Sequence, residues 1–167
     1  MILRPYTPED APFLADILHE AVHTIGARDY TTAQLDAWSP APMLPEQYHA
    51  RVTDGRVVTV AVSNKDFPAA FIEFEGDGHI DCFYCHPDIA GSGVGRALFR
   101  HAQSQAIAAG FTRLYAEASE AARRFFLREG FKVTALRQFQ LRSVAIHNHS
   151  MEKQLEKREQ HQTASAS

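Results

Sequence analysis

The stretch that most constrains this chain is His79 to Arg96, HIDCFYCHPDIAGSGVGR. A short apolar strand is stopped by Pro87. Gly91, Gly93 and Gly95 then make a flexible turn, and the first turn of a helix follows. The glycines let the backbone curl so that its N–H groups point into one small space. The helix start adds unpaired donors and the positive end of its dipole. Together these make a nest for a phosphate. A glycine triplet also serves as a tight connection with no ligand, so the letters must decide. A P-loop needs Gly-Lys-Ser/Thr, whereas Gly95 is followed by Arg96 and Ala97. A dinucleotide fingerprint needs a sixth-position glycine, and Arg96 and Leu98 stand there instead.

The flanking chain sets the fold class. Ile2 to Tyr6 reads as an edge strand. Thr7, Pro8 and Asp10 then start a helix as N-cap, first helical residue and capping-box acid. Phe13, Leu14, Ile17, Leu18, Ala21 and Val22 form its apolar stripe. Thr31 with Gln34 starts a second helix, and Pro45 opens a short third to about Val52. Val57–Val62, Ala69–Glu75 and His79–His86 are separated by short turns and read as an antiparallel meander. After the glycine turn, Val94, Leu98, Ala102, Ala106 and Ala109 lie on one helix face, closed by Gly110. Thr112–Ala116 must then run parallel to the third meander strand if this helix crosses over. Ser119 caps a helix ending at Gly130, and Phe131–Leu141 with Val144–Met151 forms a last strand pair whose turn has no glycine. The expected class is α/β (α+β), a mixed, mostly antiparallel twisted sheet with helices on both faces.

A chain of 167 residues suits one core, assigned here to residues 1–153. Residues 154–167 lose apolar content and read as a frayed helix running into disorder. The net charge of −3 supplies no broad basic field, so nucleic acid is not an expected partner. No run nears the ~18 apolar residues of a membrane span, and MILRPYTPED lacks a signal-peptide pattern. The expectation is a cytoplasmic protein with no membrane partner.

The run from Cys85 to Leu98 resembles the pyrophosphate-binding motif of the GNAT superfamily of acyl-CoA N-acyltransferases, Gln/Arg-x-x-Gly-x-Gly/Ala after a strand and proline. Ser119 to Phe131 resembles the family's next motif, and the order of elements is similar to the family's sheet. Tyr30 to Trp38, with Thr-x-x-Gln-Leu-x-x-Trp, resembles a bacterial subgroup. The resemblance implies acetyl-CoA as co-substrate; no metal and no haem are expected. Its diphosphate would lie on the amides of Gly91, Ser92, Gly93, Val94, Gly95 and Arg96. Its pantetheine arm would pair with Phe83, Tyr84 and Cys85, and touch Ser119 and Phe126. Ala90 departs from the family's Gln or Arg, and Phe126 stands where many members carry a tyrosine acid.

Acyl transfer from a thioester to an amine needs a neutral amine, a donor to the carbonyl oxygen and a route for the thiolate's proton. His79 and Asp81 are two apart and share a strand face, and the resemblance implies a base at His79. The resemblance implies a strand N–H near Tyr84 as the carbonyl donor. With Phe126 unable to donate, Tyr84, Tyr115 or water serves as acid, or the thiolate leaves unprotonated. Tyr30 and Trp38 are expected on the acceptor wall or in the core. Glu73 and Glu75 rival His79 as base, with Glu73 beside the acceptor, or else they form the solvated side of an edge. Glu73, Glu75, Asp77 and Asp81 on one hairpin favour a cationic small-molecule or peptide amine. The oligomeric state is monomer or homodimer. The competing class is a CoA-binding sensor or interaction module with little turnover, motivated by Phe126 and Ala90.

Two other patterns are set aside. Cys82-Phe83-Tyr84-Cys85-His86 spells a haem-attachment signature, but residues three apart on a strand face opposite sides. His147 and His149 share a strand face, yet the sequence offers no third metal ligand.

Overall fold

The structure is a computed structural model, and residues 1–156 are described. Strand β1 (Ile2–Pro5) leads into α1 (Ala11–Thr24), α2 (Thr32–Trp38) and α3 (Pro45–Val52). The meander follows as β2 (Val57–Val62), β3 (Pro68–Phe74) and β4 (Ile80–Cys85), then α4 (Val94–Ala108). Strand β5 (Arg113–Ala118), α5 (Glu120–Arg128), β6 (Lys132–Leu141) and β7 (Val144–Gln154) complete it. The helix starts obey local chemistry. Thr7 N–H donates to Asp10 at 2.9 Å, and Thr31 N–H to the Gln34 side chain at 2.9 Å. Pro45 opens α3, and Ser119 Oγ accepts from the Ala122 N–H.

One expected sheet is two. Strands β1-β2-β3-β4 form an antiparallel sheet in that order, and β5-β7-β6 form a second. Among the described residues, the strand pairing between them is the parallel bridge of His79 to Tyr115. Beyond that vertex β4 and β5 diverge and leave a V-shaped gap. Strand β7 lies between β5 and β6, an order that the sequence did not reveal.

Helices cover both faces of the first sheet. Leu14, Ile17, Tyr48 and Val52 from α1 and α3 pack on Val58, Val60, Phe71 and Cys82. Leu98, Phe99 and Ala102 of α4 pack on Ala61, Ala70, Ile72 and Phe74. Burial of these apolar faces is the main driving force for the layering. Phe13 departs from its stripe: it is 41% exposed and pairs edge-on with Phe67. Ala109 is also exposed, beyond the last buried turn of α4. The β6–β7 turn needs no glycine because Arg142 and Ser143 both take positive φ, 45° and 66°.

Strand β7 runs one residue past the expected domain end, to Gln154, and Leu155 N–H bonds to Thr112 O at 2.8 Å. The remainder of the expected tail, from 157 onward, lies outside the described residues. No helix among the described residues is long and apolar enough to cross a membrane.

Candidate functional site: a cleft between the diverging strands

The V-shaped gap opens into a cleft of about 850 Å³. Strand β4 supplies one wall through Phe83, Tyr84 and Cys85. The glycine turn forms the floor through Ala90, Gly91, Gly93, Gly95 and Arg96. Ser119, Ala122 and Phe125 of α5 face it, and α1, Tyr30 and Trp38 close the remaining side. That volume lies within the roughly 300–1,000 Å³ range of sites for cofactor-sized ligands.

The turn presents free donors. Ser92 N–H is spent on Ile89 O at 3.1 Å, which removes it from the expected set. The first helical amide with a backbone partner is Ala97, on Gly93 O at 3.1 Å. The amides of Gly91, Gly93, Val94, Gly95 and Arg96 have no acceptor among the described residues. Gly91 and Gly93 take φ of +79° and +93°, which glycine adopts without strain. A β-carbon there would meet nothing within 4 Å, so conformation and not crowding by the chain selects glycine.

The strand contributes donors too. His86 N–H bonds to Ala69 O, and the register pairs Phe71 with Tyr84 and Ile72 with Phe83. Antiparallel alternation therefore turns the Tyr84 amide toward β3, and those of Phe83 and Cys85 outward into the gap. The amides near Tyr84 that are free to donate into the gap are thus those of its two neighbours.

Tyr84 lines the cleft with its side chain, against Phe71 and beside Trp38. Burial pushes the phenol's pKa far up, and the Trp38 indole N–H only partly opposes this, so the hydroxyl stays protonated. Burial likewise pushes the Cys85 thiol up to about 11, which leaves it no thiolate character. Cys82 lies in the opposite core, so the two sulfurs face different sides as the strand geometry requires. The Tyr30 hydroxyl is fully used: it donates to His147 O and accepts from Glu120 N–H, both at 3.1 Å. It lines the wall while pinning α5 to β7.

Four expected site residues lie elsewhere. Phe126 is 2% exposed and packs on Phe99 and Phe131, while its neighbour Phe125 faces the cleft. Glu73 is fully buried, on neither a solvated edge nor an acceptor wall. It accepts from Tyr48 at 2.8 Å and from Arg51 and Arg56 at 2.9 Å. A register break between Glu73 and Phe74 swings Asp81 toward the same arginines, each 2.6 Å away. Burial would raise the Asp81 pKa, but Arg56 and Arg51 outweigh it and hold the carboxyl low. His79 sits at the vertex, Nδ1 at 2.8 Å from Glu75 and Nε2 at 2.5 Å from Glu117. Neither His79 nor Asp81 lines the cleft. The hairpin's other acids are engaged as well: Glu75 faces His79, and Asp77 accepts a hydrogen bond from the Tyr115 hydroxyl.

Sequence reading missed the basic rim. Arg28, Arg124 and Arg128 line the cleft beside Arg96. Arg124 is held by Asp29 at 2.7 Å, and Arg96 by Glu129 at 3.1 Å. Arg28 and Arg128 have no carboxylate partner among the described residues. They come from α1's exit and α5's end, so only the folded chain brings them together.

The acetyltransferase (GNAT) domain family matches residues 26–162. A GCN5-related N-acetyltransferase of Rhodopseudomonas palustris superposes with a TM-score of 0.84 at 32% identity, over 92% of this chain and 95% of its own. A phosphinothricin acetyltransferase of Sinorhizobium meliloti, solved with acetyl-CoA, shares the fold at a TM-score of 0.73 and 18% identity, over 92% and 88%. The peptidyl-lysine N-acetyltransferase YjaB of Escherichia coli is 41% identical over 75 residues, 45% of this chain. The match spans about half the length of such curated relatives, 49% here. The chain belongs to the GNAT acetyltransferase family.

Proposed function

We propose that this family member moves an acetyl group from acetyl-CoA to a primary amine by direct transfer in a ternary complex. The observation that carries the reading is the set of unpaired amides at Gly91, Gly93, Gly95 and Arg96, residues that line the same cleft as Phe83 and Cys85, whose amides point outward from β4. The turn amides take the CoA diphosphate, with Arg28 and Arg128 facing its charge across the mouth. The pantetheine adds to the free edge of β4 as a strand would.

In the reaction the amine nitrogen attacks the thioester carbon, and an outward β4 amide donates to the oxygen as it becomes negative. The carbon–sulfur bond then breaks. The Tyr84 hydroxyl gives its proton to the leaving sulfur, and the proton shed by the amine restores the phenol. Of the two tyrosines weighed as acid, Tyr84 lines the cleft, whereas Tyr115 is tied to Asp77 outside it. His79 and Asp81 receive no base role, because their partners hold them away from the cleft.

The local likeness to a peptidyl-lysine acetyltransferase supports a lysine side chain within a peptide as acceptor. The test is free-thiol release from acetyl-CoA across small amines and lysine peptides. Release that depends on an amine supports transfer. Binding of acetyl-CoA without release on any amine supports the CoA-binding module.

A further inference from the structure

Three groups of metal-type donors converge among the described residues. Two are already occupied by the chain itself: Asp81 belongs to both, and Arg51 and Arg56 hold it. The third is Glu120, His147 and His149, whose ligand atoms lie within 4.8 Å of one another. The sequence left the two histidines without a third ligand, and the first turn of α5 supplies it. Both imidazoles aim Nε2 at the same oxygen, Glu120 Oε1, at 3.0 Å from His147 and 2.6 Å from His149. The other oxygen, Oε2, is taken by Arg123 Nε at 3.1 Å, so one oxygen is left for a further partner.

We propose that Glu120, His147 and His149 form a site for a borderline divalent metal ion such as Zn²⁺, a feature independent of acyl transfer. Two imidazoles and one monodentate carboxylate are the donor set of an open tetrahedral zinc site, with water in the fourth position. Metal–ligand bonds of about 2.0–2.1 Å place tetrahedral ligand atoms roughly 3.3 Å apart. The nitrogen–oxygen pairs, at 3.0 and 2.6 Å, would widen by roughly 0.3 and 0.7 Å, within reach of side-chain rotation. Both side chains of the strand are held by β7 on one face, so the imidazoles are positioned before the ion arrives. The ion would clamp β7 to the start of α5, where Tyr30 already joins Glu120 N–H to His147 O. It would thereby fix the cleft wall that carries Ser119. Ion binding requires unprotonated imidazoles, so affinity falls as the solution is acidified.

The test uses the tag-free, chelator-treated full chain titrated with Zn²⁺ by calorimetry, and with Co²⁺ by visible absorption. The expected result is one ion per chain and the intense visible bands of a tetrahedral cobalt complex. His147→Ala and His149→Ala should each abolish saturable binding, and Glu120→Gln should weaken it at least about tenfold. Circular dichroism checks that each variant folds. Independently of any variant, nitrogen-detected NMR of the wild-type imidazoles should show two Nε2 resonances shifting together on adding Zn²⁺. No saturable binding, binding that survives both histidine substitutions, or two unmoved imidazoles would overturn the site and leave an internal hydrogen-bond cluster.

Discussion

Gly95 packs directly on Cys85: a β-carbon on the glycine would stand 3.1 Å from the cysteine sulfur and 3.5 Å from the Phe83 ring. This contact sets how near the start of α4 lies to the edge of β4. It therefore sets the distance between the turn amides and the strand amides that one ligand must span.

Gly95→Val is expected to push α4 off β4, lower the melting temperature and weaken acetyl-CoA binding. Removing the sulfur as well, in Cys85→Ala with Gly95→Val, should recover about 1 kcal/mol of the loss. Additive effects in calorimetric unfolding would show that the contact does not set the spacing.

Tyr84→Phe removes the one hydroxyl on the β4 wall and keeps the ring. Turnover should fall about 10²-fold, with the acetyl-CoA dissociation constant unchanged. Steady-state kinetics beside binding calorimetry separates the two, and an unaltered kcat removes Tyr84 as proton donor.

Glu73→Gln should act on stability and not on substrate. The carboxylate is buried with two guanidiniums and a phenol, and its loss leaves Arg51 and Arg56 under-compensated. Breaking such a buried group costs about 3–5 kcal/mol. Denaturant unfolding should show that loss, with the acceptor KM of the folded fraction intact. A raised acceptor KM at undiminished stability would place Glu73 at the acceptor instead.

His79 gives a pH signature. Burial alone would lower its pKa, but hydrogen bonds to Glu117 and Glu75 more than reverse this and raise it. The fold favours the protonated ring, so its contribution is complete below the unfolded pKa of about 6.5 and lost as pH rises through the higher folded value. The melting-temperature gap between the wild type and His79→Gln should be widest in mild acid and narrow toward alkaline pH. A gap constant with pH would refute the linkage.

The same residues show where sequence was sufficient. Strand, proline, glycine turn and helix are written in local chemistry, so Phe83 to Arg96 was legible down to the direction of the helix dipole. Capping boxes at Thr7 and Thr31 placed two helices for the same reason. What failed was long-range partnership. Glu73 and Asp81 look like solvated acids until α3 brings Arg51 and β2's entry brings Arg56. A one-residue slip in register moved Asp81, and no periodicity announces a bulge. Phe125 and Phe126 are adjacent on a helix, and only the packing against Phe99 and Phe131 decides which one is buried.

The central claim is that main-chain donors after Pro87 grip the diphosphate of CoA. Calorimetric titration with acetyl-CoA and with S-acetylpantetheine, which lacks the diphosphate, addresses it directly. Acetyl-CoA is expected to bind one to one and S-acetylpantetheine at least about 10²-fold more weakly, charge-assisted hydrogen bonds being worth roughly 1.5–3 kcal/mol each. Equal affinity for the two ligands, or no binding of acetyl-CoA, would contradict it.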